Sequence, residues 1–508
     1  MPVNKHLNWF DIADFTPGLY DELSEAYRLV MPNNAAAILE GAYAQPHGGL
    51  RAFWKPTTVS VSGIVSISTE KTLGLWVRGG VSLRDGSASD SFDALLVTMD
   101  TVDFKVRIYR MDGSNGETTW KVEHTTAASA SAGARQAEFG IFKTTAGLTY
   151  YLVVIRTTSA SVSGLYTVAY VGGAGPPAGD GVVVRQQAYN GSLAVNQARI
   201  LIGEGNSSKM YYSDIGDITF TGPSYLDVEP NQGAANITSI TPFAPDDLLV
   251  SKEGAPWVQI SGDISSASTP VREMGDEYHG RNQEQHLVRV PGGLLFVEPG
   301  GSVYLTDGRN FENIGRNIPR RGSTVGAVVG TGQATFLQNF AYVRNRVWSV
   351  DTKGWAALPE SCTFWSTDYY NGHVWGVSSG TSFIVRRYEM FDGDANTDRF
   401  DTYTWQSAPF GDANGRNVEI REVQVFYQAQ ATSSIAVSLV DPAGNVILTR
   451  TNTGLTGRGM TPFLFPNTQD EYLSVRVVPA ATSASNEAPI VEKVRIGFGV
   501  NNLLSVSS

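Results

Sequence analysis

The sequence predicts an all-β chain: a β-propeller of about six blades with an inserted β-sandwich and a C-terminal β-sandwich. Three observations carry this. Charged residues make up 17% of the 508 residues, below the ~25% typical of soluble domains. Gly, Ser, Thr and Val fill the difference and favour strands and turns. Several segments alternate apolar and polar residues, as Phe104-Lys105-Val106-Arg107-Ile108-Tyr109 and Glu492-Lys493-Val494-Arg495-Ile496-Gly497-Phe498 do, the period-2 mark of a half-buried strand. Finally, an aromatic anchor recurs at Tyr211, Trp257, Tyr304, Trp348 and Trp375, with spacings of 46, 47, 44 and 27 residues. The first three match the period of a propeller blade, a four-stranded sheet that must stack on its neighbours to bury both faces. The short last spacing marks a reduced blade or a slip of register.

Taken in order, residues 1–40 form an irregular arm with one short helix. Ala35 to Glu40 are its helix formers, Asn33 or Asn34 its cap and Gly41 its stop. Residues 41–56 and 180–400 form the propeller, with Leu50–Trp54 joining a blade near Val182–Arg185 to close the ring. Residues 57–172 read as the inserted sandwich, with a core of Leu75, Leu95, Val97, Val106, Ile108, Phe139, Ile141, Leu152, Val154, Tyr166 and Val168. Residues 173–179, Gly173-Ala174-Gly175-Pro176-Pro177-Ala178-Gly179, are the linker that follows. Residues 401–508 form the C-terminal sandwich, with a hairpin turn at Asp441-Pro442-Ala443-Gly444-Asn445.

Composition excludes several functions. A net charge of −11 argues against gripping nucleic acid, which needs phosphate neutralisation. The single Cys362 excludes a disulfide framework and any Cys-cluster zinc site. No apolar run reaches the ~18–20 residues of a membrane span, and the N-terminus lacks the pattern of a secretory signal, so synthesis is expected in the cytoplasm.

No constellation for catalysis emerges. His279, Glu284 and His286 lack metal-ligand spacing. Gly203–Lys209 lacks the Gly-Lys-Ser/Thr order of a phosphate loop and reads as a hairpin turn. The carboxylate groups Asp246/Asp247 and Glu273/Asp276/Glu277 read as solvated turns, although paired carboxylates are what a glycosidase needs. Asp392, Asp394, Asn396 and Asp398 match the start of a calcium loop, but Thr397 and Tyr403 stand where such a loop needs Gly and a carboxylate; a solvated turn is the preferred reading. Asn206-Ser207-Ser208 and Asn236-Ile237-Thr238 match the glycosylation pattern, which means little without a secretory signal. Trp365, Tyr369, Tyr370 and Trp375 offer a sugar-stacking surface or, more simply, blade packing. The expectation is a protein without catalytic residues, cofactor or metal.

Three segments carry a resemblance. They are Asp11-Ile12-Ala13-Asp14-Phe15-Thr16-Pro17-Gly18-Leu19, Met31-Pro32-Asn33-Asn34-Ala35-Ala36, and Tyr43-Ala44-Gln45-Pro46-His47-Gly48-Gly49-Leu50-Arg51. They resemble a group of tailed-phage virion proteins in which such an opening precedes a propeller: the nozzle proteins of short-tailed phages and related minor tail proteins. Ile240-Thr241-Pro242-Phe243 with Leu248-Leu249-Val250-Ser251-Lys252-Glu253 is similar to their repeated blade. The resemblance implies a structural tail component bordering the DNA-ejection conduit, made in the host cytoplasm and located in the virion. It implies a homo-oligomeric ring, a hexamer favoured over a trimer. Partners would be neighbouring subunits, the adaptor or portal-side ring, and distal tail or fibre proteins, with viral DNA only passing through. Trp9, Phe10, Phe15, Leu19 and Tyr20 of the arm are the expected assembly contacts. The alternative is a tail-tip module that recognises or depolymerises host surface glycans.

Overall fold

Every regular element among the described residues is a strand. The computed structural model describes residues 8–15, 36–79, 92–112, 119–128, 134–157, 162–169, 182–187, 191–204, 207–222, 224–228, 237–244, 247–252, 255–266, 269–274, 287–297, 302–307, 310–315, 332–360, 362–378, 384–390, 399–411, 417–466, 468–484 and 486–500. The first four strands, β1 (Asn8–Ile12), β2 (Ala36–Glu40), β3 (Ala42–Ala44) and β4 (Leu50–Ala52), belong to a large sheet completed by the C-terminal residues. β5 (Thr57–Val59) opens the propeller.

Five antiparallel meanders follow. The first is β6 (Glu70–Gly79), β7 (Phe92–Asp100), β8 (Val106–Asp112) and β9 (Lys121–Thr125). The second is β10 (Ala134–Lys143), β11 (Thr149–Thr157), β12 (Gly164–Ala169) and β13 (Val182–Gln187). The third is β14 (Leu193–Asn196), β15 (Arg199–Gly203), β16 (Lys209–Tyr212) and β17 (Tyr225–Asp227). The fourth is β18 (Ile237–Ala244), β19 (Asp247–Lys252), β20 (Trp257–Ser261) and β21 (Val271–Met274). The fifth is β22 (Val288–Val290), β23 (Gly293–Val297), β24 (Val303–Thr306) and β25 (Phe311–Asn313). A further meander, β26 (Thr335–Leu337), β27 (Phe340–Val343), β28 (Arg346–Ser349) and β29 (Trp355–Ala357), is continuous with the large sheet. The last blade is β30 (Phe364–Asp368), β31 (His373–Val377) and β32 (Val385–Glu389), completed by β5 from the other end of the propeller segment.

The first strand of each sheet lies toward the axis. β6 packs on β10, β10 on β14 and β14 on β18; β22 packs on β26, β26 on β30, and β30 back on β6. Six blades thus stand as separate four-stranded sheets, and β26–β29 fills the remaining place in the ring. β5 on β32 closes it: Val385 opposes Val59 and Arg387 opposes Thr57. Apolar seams join the blades, such as Leu152, Val154, Leu193, Ile200 and Ile202 between the second and third, or Leu249, Trp257, Leu294 and Phe296 between the fourth and fifth.

The remaining strands are β33 (Thr404–Ser407), β34 (Phe410–Gly411), β35 (Val418–Val440), β36 (Val446–Leu464), β37 (Gln469–Asp470), β38 (Tyr472–Ala481) and β39 (Ile490–Val500). β35 and β36 form one long hairpin. The first half of β35 pairs β39 and the second half pairs β38, with irregular register between Ala429 and Ile435. In β36, Gly454 and Gly457 take positive φ. An extended strand would separate Arg450 from Leu464 by roughly 46 Å, yet Arg450 Nε donates to the Leu464 carbonyl at 3.4 Å. Asn452 likewise donates to the Pro462 carbonyl at 3.0 Å. The hairpin therefore doubles back, and the sheet folds into two layers over Val423, Val425, Ile435, Val437, Val475, Val477, Val494 and Ile496.

The expected C-terminal sandwich thus exists as two layers, but it is not closed within 401–508. β1 lies on β39 and β4 on β39, while β2 lies on β33. Residues 41–52 belong here and not to a blade. Nor does Leu50–Trp54 close the ring, since β5 performs that pairing. The helix expected at Ala35–Glu40 is strand β2 over 36–40, antiparallel to β33 and bridged in parallel to β29 through Glu40 and Ala357. Tertiary pairing outweighs propensity because a run this short cannot repay helix nucleation alone.

The two sheets expected within 57–172 are present and pack on each other through Leu95, Val97, Val106, Ile108, Tyr166 and Val168. They are neighbouring blades, however, and not an insert; β13 completes the second beyond residue 172. Their outer faces are buried too. Leu75 faces Trp375 and Val385 of the last blade, and Leu152 and Val154 face the third blade. A free-standing sandwich has polar outer faces; a blade buries both. The linker at 173–179 lies outside the described residues.

Candidate functional site

Strand pairing leaves much of the axis-facing edge of the inner strands without a ladder partner, although Phe364 of β30 bridges Gln333 in parallel. Several of those amides are capped by polar side chains from an adjoining element. Leu193 N donates to Glu138 Oε2 at 2.7 Å, Ile240 N to Ser192 Oγ at 3.0 Å, Leu75 N to Gln333 Oε1 at 3.1 Å and Val77 N to Ser366 Oγ at 2.8 Å. Satisfying a buried amide in this way avoids a desolvation cost of about 1–3 kcal/mol.

Glu138 stands out in this hub. Its side chain is 11% exposed, and Arg156 Nη1 stands 4.0 Å from Oε1. Oε1 is shut from solvent without a hydrogen bond. Burial pushes the carboxyl up to about 6, against the pull of Arg156, the Leu193 amide and the Ser192 hydroxyl. The axial cavity beside it, about 210 Å3, is bordered by Trp76, Phe139, Thr241, Leu287 and Gln333 among others, with no Lys or Arg among its described lining residues.

At the end where the inner strands finish, a second cavity of about 520 Å3 opens. Phe243, near the end of β18, and Phe336 of β26 contribute half-buried rings. Between them, the turn from β22 to β23 contributes Arg289, Val290, Pro291, Gly292 and Gly293, with Asp307 beside it. The register Arg289–Leu294–Thr306 across three strands brings Arg289 and Asp307 to the same end of the sheet. Asp307 is held by the Asn310 amide at 2.8 Å and the Asn310 side chain at 3.1 Å. Sequence reasoning missed this mouth because its residues come from three blade positions. The usable signal was that Phe243 and Phe336 precede their anchors, Trp257 and Trp348, by 14 and 12 residues.

The anchors themselves are placed consistently. Tyr211, Trp257, Tyr304 and Trp348 all lie in the third strand of their sheets, whereas Trp375 lies in the second strand of the last blade. The short spacing of 27 was a slip of register; Tyr388 is the third-strand aromatic there. Tyr109 and Tyr166 continue the pattern into the first two blades.

Among the expected assembly residues, Trp9 is 42% exposed on β1, with the Arg495 guanidinium 5.7 Å from its ring. Phe10 meets Phe410 edge-on at 5.4 Å. Phe15 is buried against Trp405 at 5.5 Å, so its ring is occupied within its own chain. Leu19 and Tyr20 lie outside the described residues, as do Asp392, Asp394, Asn396 and Asp398, His279, Glu284 and His286, and Asp246, Asp276 and Glu277. Trp365 and Trp375 are core residues, while Tyr369 and Tyr370 are exposed. The described ends of the 203–209 span join antiparallel strands β15 and β16, with Glu204 N donating to the Lys209 carbonyl at 2.9 Å; Gly205 and Asn206 lie outside the described residues. Among the described residues no cluster of metal-ligating side chains occurs, and no helix is long and apolar enough to cross a membrane.

The described parts of two segments that carry the phage resemblance, Asp11–Phe15 and Tyr43–Arg51, meet in space. Tyr43–Arg51 forms the β3–β4 hairpin, whose Gly48 has φ +99° and packs against the chain just after β1. A Cβ on Gly48 would lie 2.4 Å from the Ala13 carbonyl oxygen. Arg51 from this hairpin pairs with buried Glu487 at 2.7 Å. The Arg399 guanidinium stacks on Trp54 at 4.0 Å, and Tyr43, Phe53 and Phe340 connect the hairpin to β27 of the ring.

No protein-family model and no curated protein matches the sequence. Solved structures do match in shape. An exo-β-1,3-galactanase from Phanerochaete chrysosporium is 10% identical, covering 87% of this chain and 100% of its own, with a TM-score of 0.28. Raptor from Chaetomium thermophilum is 9% identical over 64% of this chain and 29% of its own, with a TM-score of 0.35. Likeness at this level bears on neither activity nor partners.

Proposed function

We propose that this chain is a structural subunit of a bacteriophage tail, a nozzle-ring or minor tail protein bordering the path of ejected DNA. The observation that carries the reading is the resemblance of Asp11–Leu19 and Tyr43–Arg51 to that group. Its support in the fold is that the described parts of both segments lie in one unit, clasped by Gly48 against Ala13 and by Arg51 with Glu487. The excess of carboxylates suits a wall that DNA slides past, since cationic side chains would retain the phosphates. A ring of copies, a hexamer by preference, would use heterologous contacts that close by rotation. Among the described residues of the arm, Trp9 is exposed and available for such contacts.

The test is mass spectrometry and cryo-EM of purified parent particles. The chain should occupy symmetric density in the tail, next to the adaptor or portal-side ring or to distal tail and fibre proteins. Its absence from infectious particles would refute the reading. Recognition of surface glycans at a tail tip is the second reading, favoured by the mixed aromatic and charged lining of the axial mouth.

A further inference from the structure

We propose that the axial mouth beside Arg289 and Asp307 binds a neutral saccharide ring. The cavity, about 520 Å3, lies within the range of small-molecule sites, which combine apolar walls with a few placed polar groups. Its lining has that make-up. Phe243 and Phe336 present rings from separate inner strands, and Arg289 and Asp307 stand at the blade between them.

The charges define the ligand class. An anionic ligand meets Asp307 and a chain of net charge −11; a cationic one meets Arg289. A neutral polyol uses both, donating a hydroxyl to Asp307 and accepting from Arg289, while the C–H face of its ring covers an aromatic face. Asp307 is held in place by Asn310, which limits the ordering cost of binding. The turn at Gly292 leaves room for a ligand, since among the described residues nothing beyond its chain neighbours lies within 4 Å of where its Cβ would be.

This inference rests on the recognition reading and is independent of assembly into a tail. The full-length protein is titrated, by saturation-transfer NMR and calorimetry, with the methyl glycosides of glucose, galactose and N-acetylglucosamine, and with lactose and cellobiose. Propylamine and acetate serve as charged controls. The expected result is saturable binding of at least one neutral sugar with a Kd on the order of 1 mM. Arg289→Ala and Asp307→Asn, both at exposed positions, should each weaken it about tenfold without moving the unfolding midpoint. Three results would overturn the proposal: no sugar saturating below about 20 mM, binding unchanged in both variants, or charged controls binding as tightly. Incorporation into particles without sugar binding would sink this inference and leave the tail reading standing.

Discussion

Glu138 makes the stability of the ring depend on pH in a direction opposite to that of most acidic residues. Its carboxyl stands at about 6 against an ordinary 4.5, because burial of Oε1 outweighs the help of Arg156, Leu193 N and Ser192. A raised folded-state value means that the native protein holds this proton more tightly than the unfolded chain does. The associated stability is complete below about 4.5 and is lost as pH rises through about 6. The full difference corresponds to about 2 kcal/mol. Glu138→Gln removes the titration but keeps an oxygen for the Leu193 amide. Its new NH2 sits near Arg156 and adds a penalty, but a neutral amide's penalty does not titrate over this range. The informative quantity is therefore the variant's stability minus that of the wild type, from urea unfolding at several pH values. Between about pH 4 and about pH 7.5 that difference should move by about 2 kcal/mol in favour of the variant. A flat difference, or one moving the other way, would refute the account of this seam.

Trp257 fills the seam between the fourth and fifth blades, 4.6 Å from Phe296 and 5.4 Å from Phe311 by ring centroids; Trp257→Ala should cost about 3–5 kcal/mol in denaturant unfolding. Gly191→Ala would drive a Cβ to 1.0 Å from the Gly203 carbonyl oxygen, so it should lower the thermal midpoint clearly, whereas Gly147→Ala, where only positive φ is at issue, should cost about 1 kcal/mol. Cys362 is fully buried and its thiol is pushed up to about 12 by desolvation; a thiol reagent should label it only on unfolding, and rapid native-state labelling would contradict that burial. Asp11 is held down to about 2, first by its bond to Arg495, but the pair is largely exposed, so Asp11→Ala should cost under about 1 kcal/mol, less at high salt, read from protection of the β1–β39 amides by hydrogen exchange.

Much of this architecture is written locally. Alternation in Phe104–Tyr109 and Glu492–Phe498 declares strands because a strand between unlike surroundings sorts its side chains by face. The third-strand aromatics declare blades because a large side chain recurs on the third strand of successive sheets, although Trp257 and Tyr304 share one seam. Those patterns reach no farther than one strand or one repeat. Whether a sheet meets solvent or another sheet on its second face is settled by its neighbours, which is why the first two blades read as a sandwich. Ala36–Glu40 carries good helix formers yet lies as a strand because β33 offers it a ladder. Thr57–Val59 closes the ring because β32 presents a free edge more than three hundred residues away. The axial mouth joins Phe243, Arg289, Asp307 and Phe336, residues far apart in sequence. Only closure of the ring brings their strands to one axis, so their shared chemistry is a property of the tertiary structure.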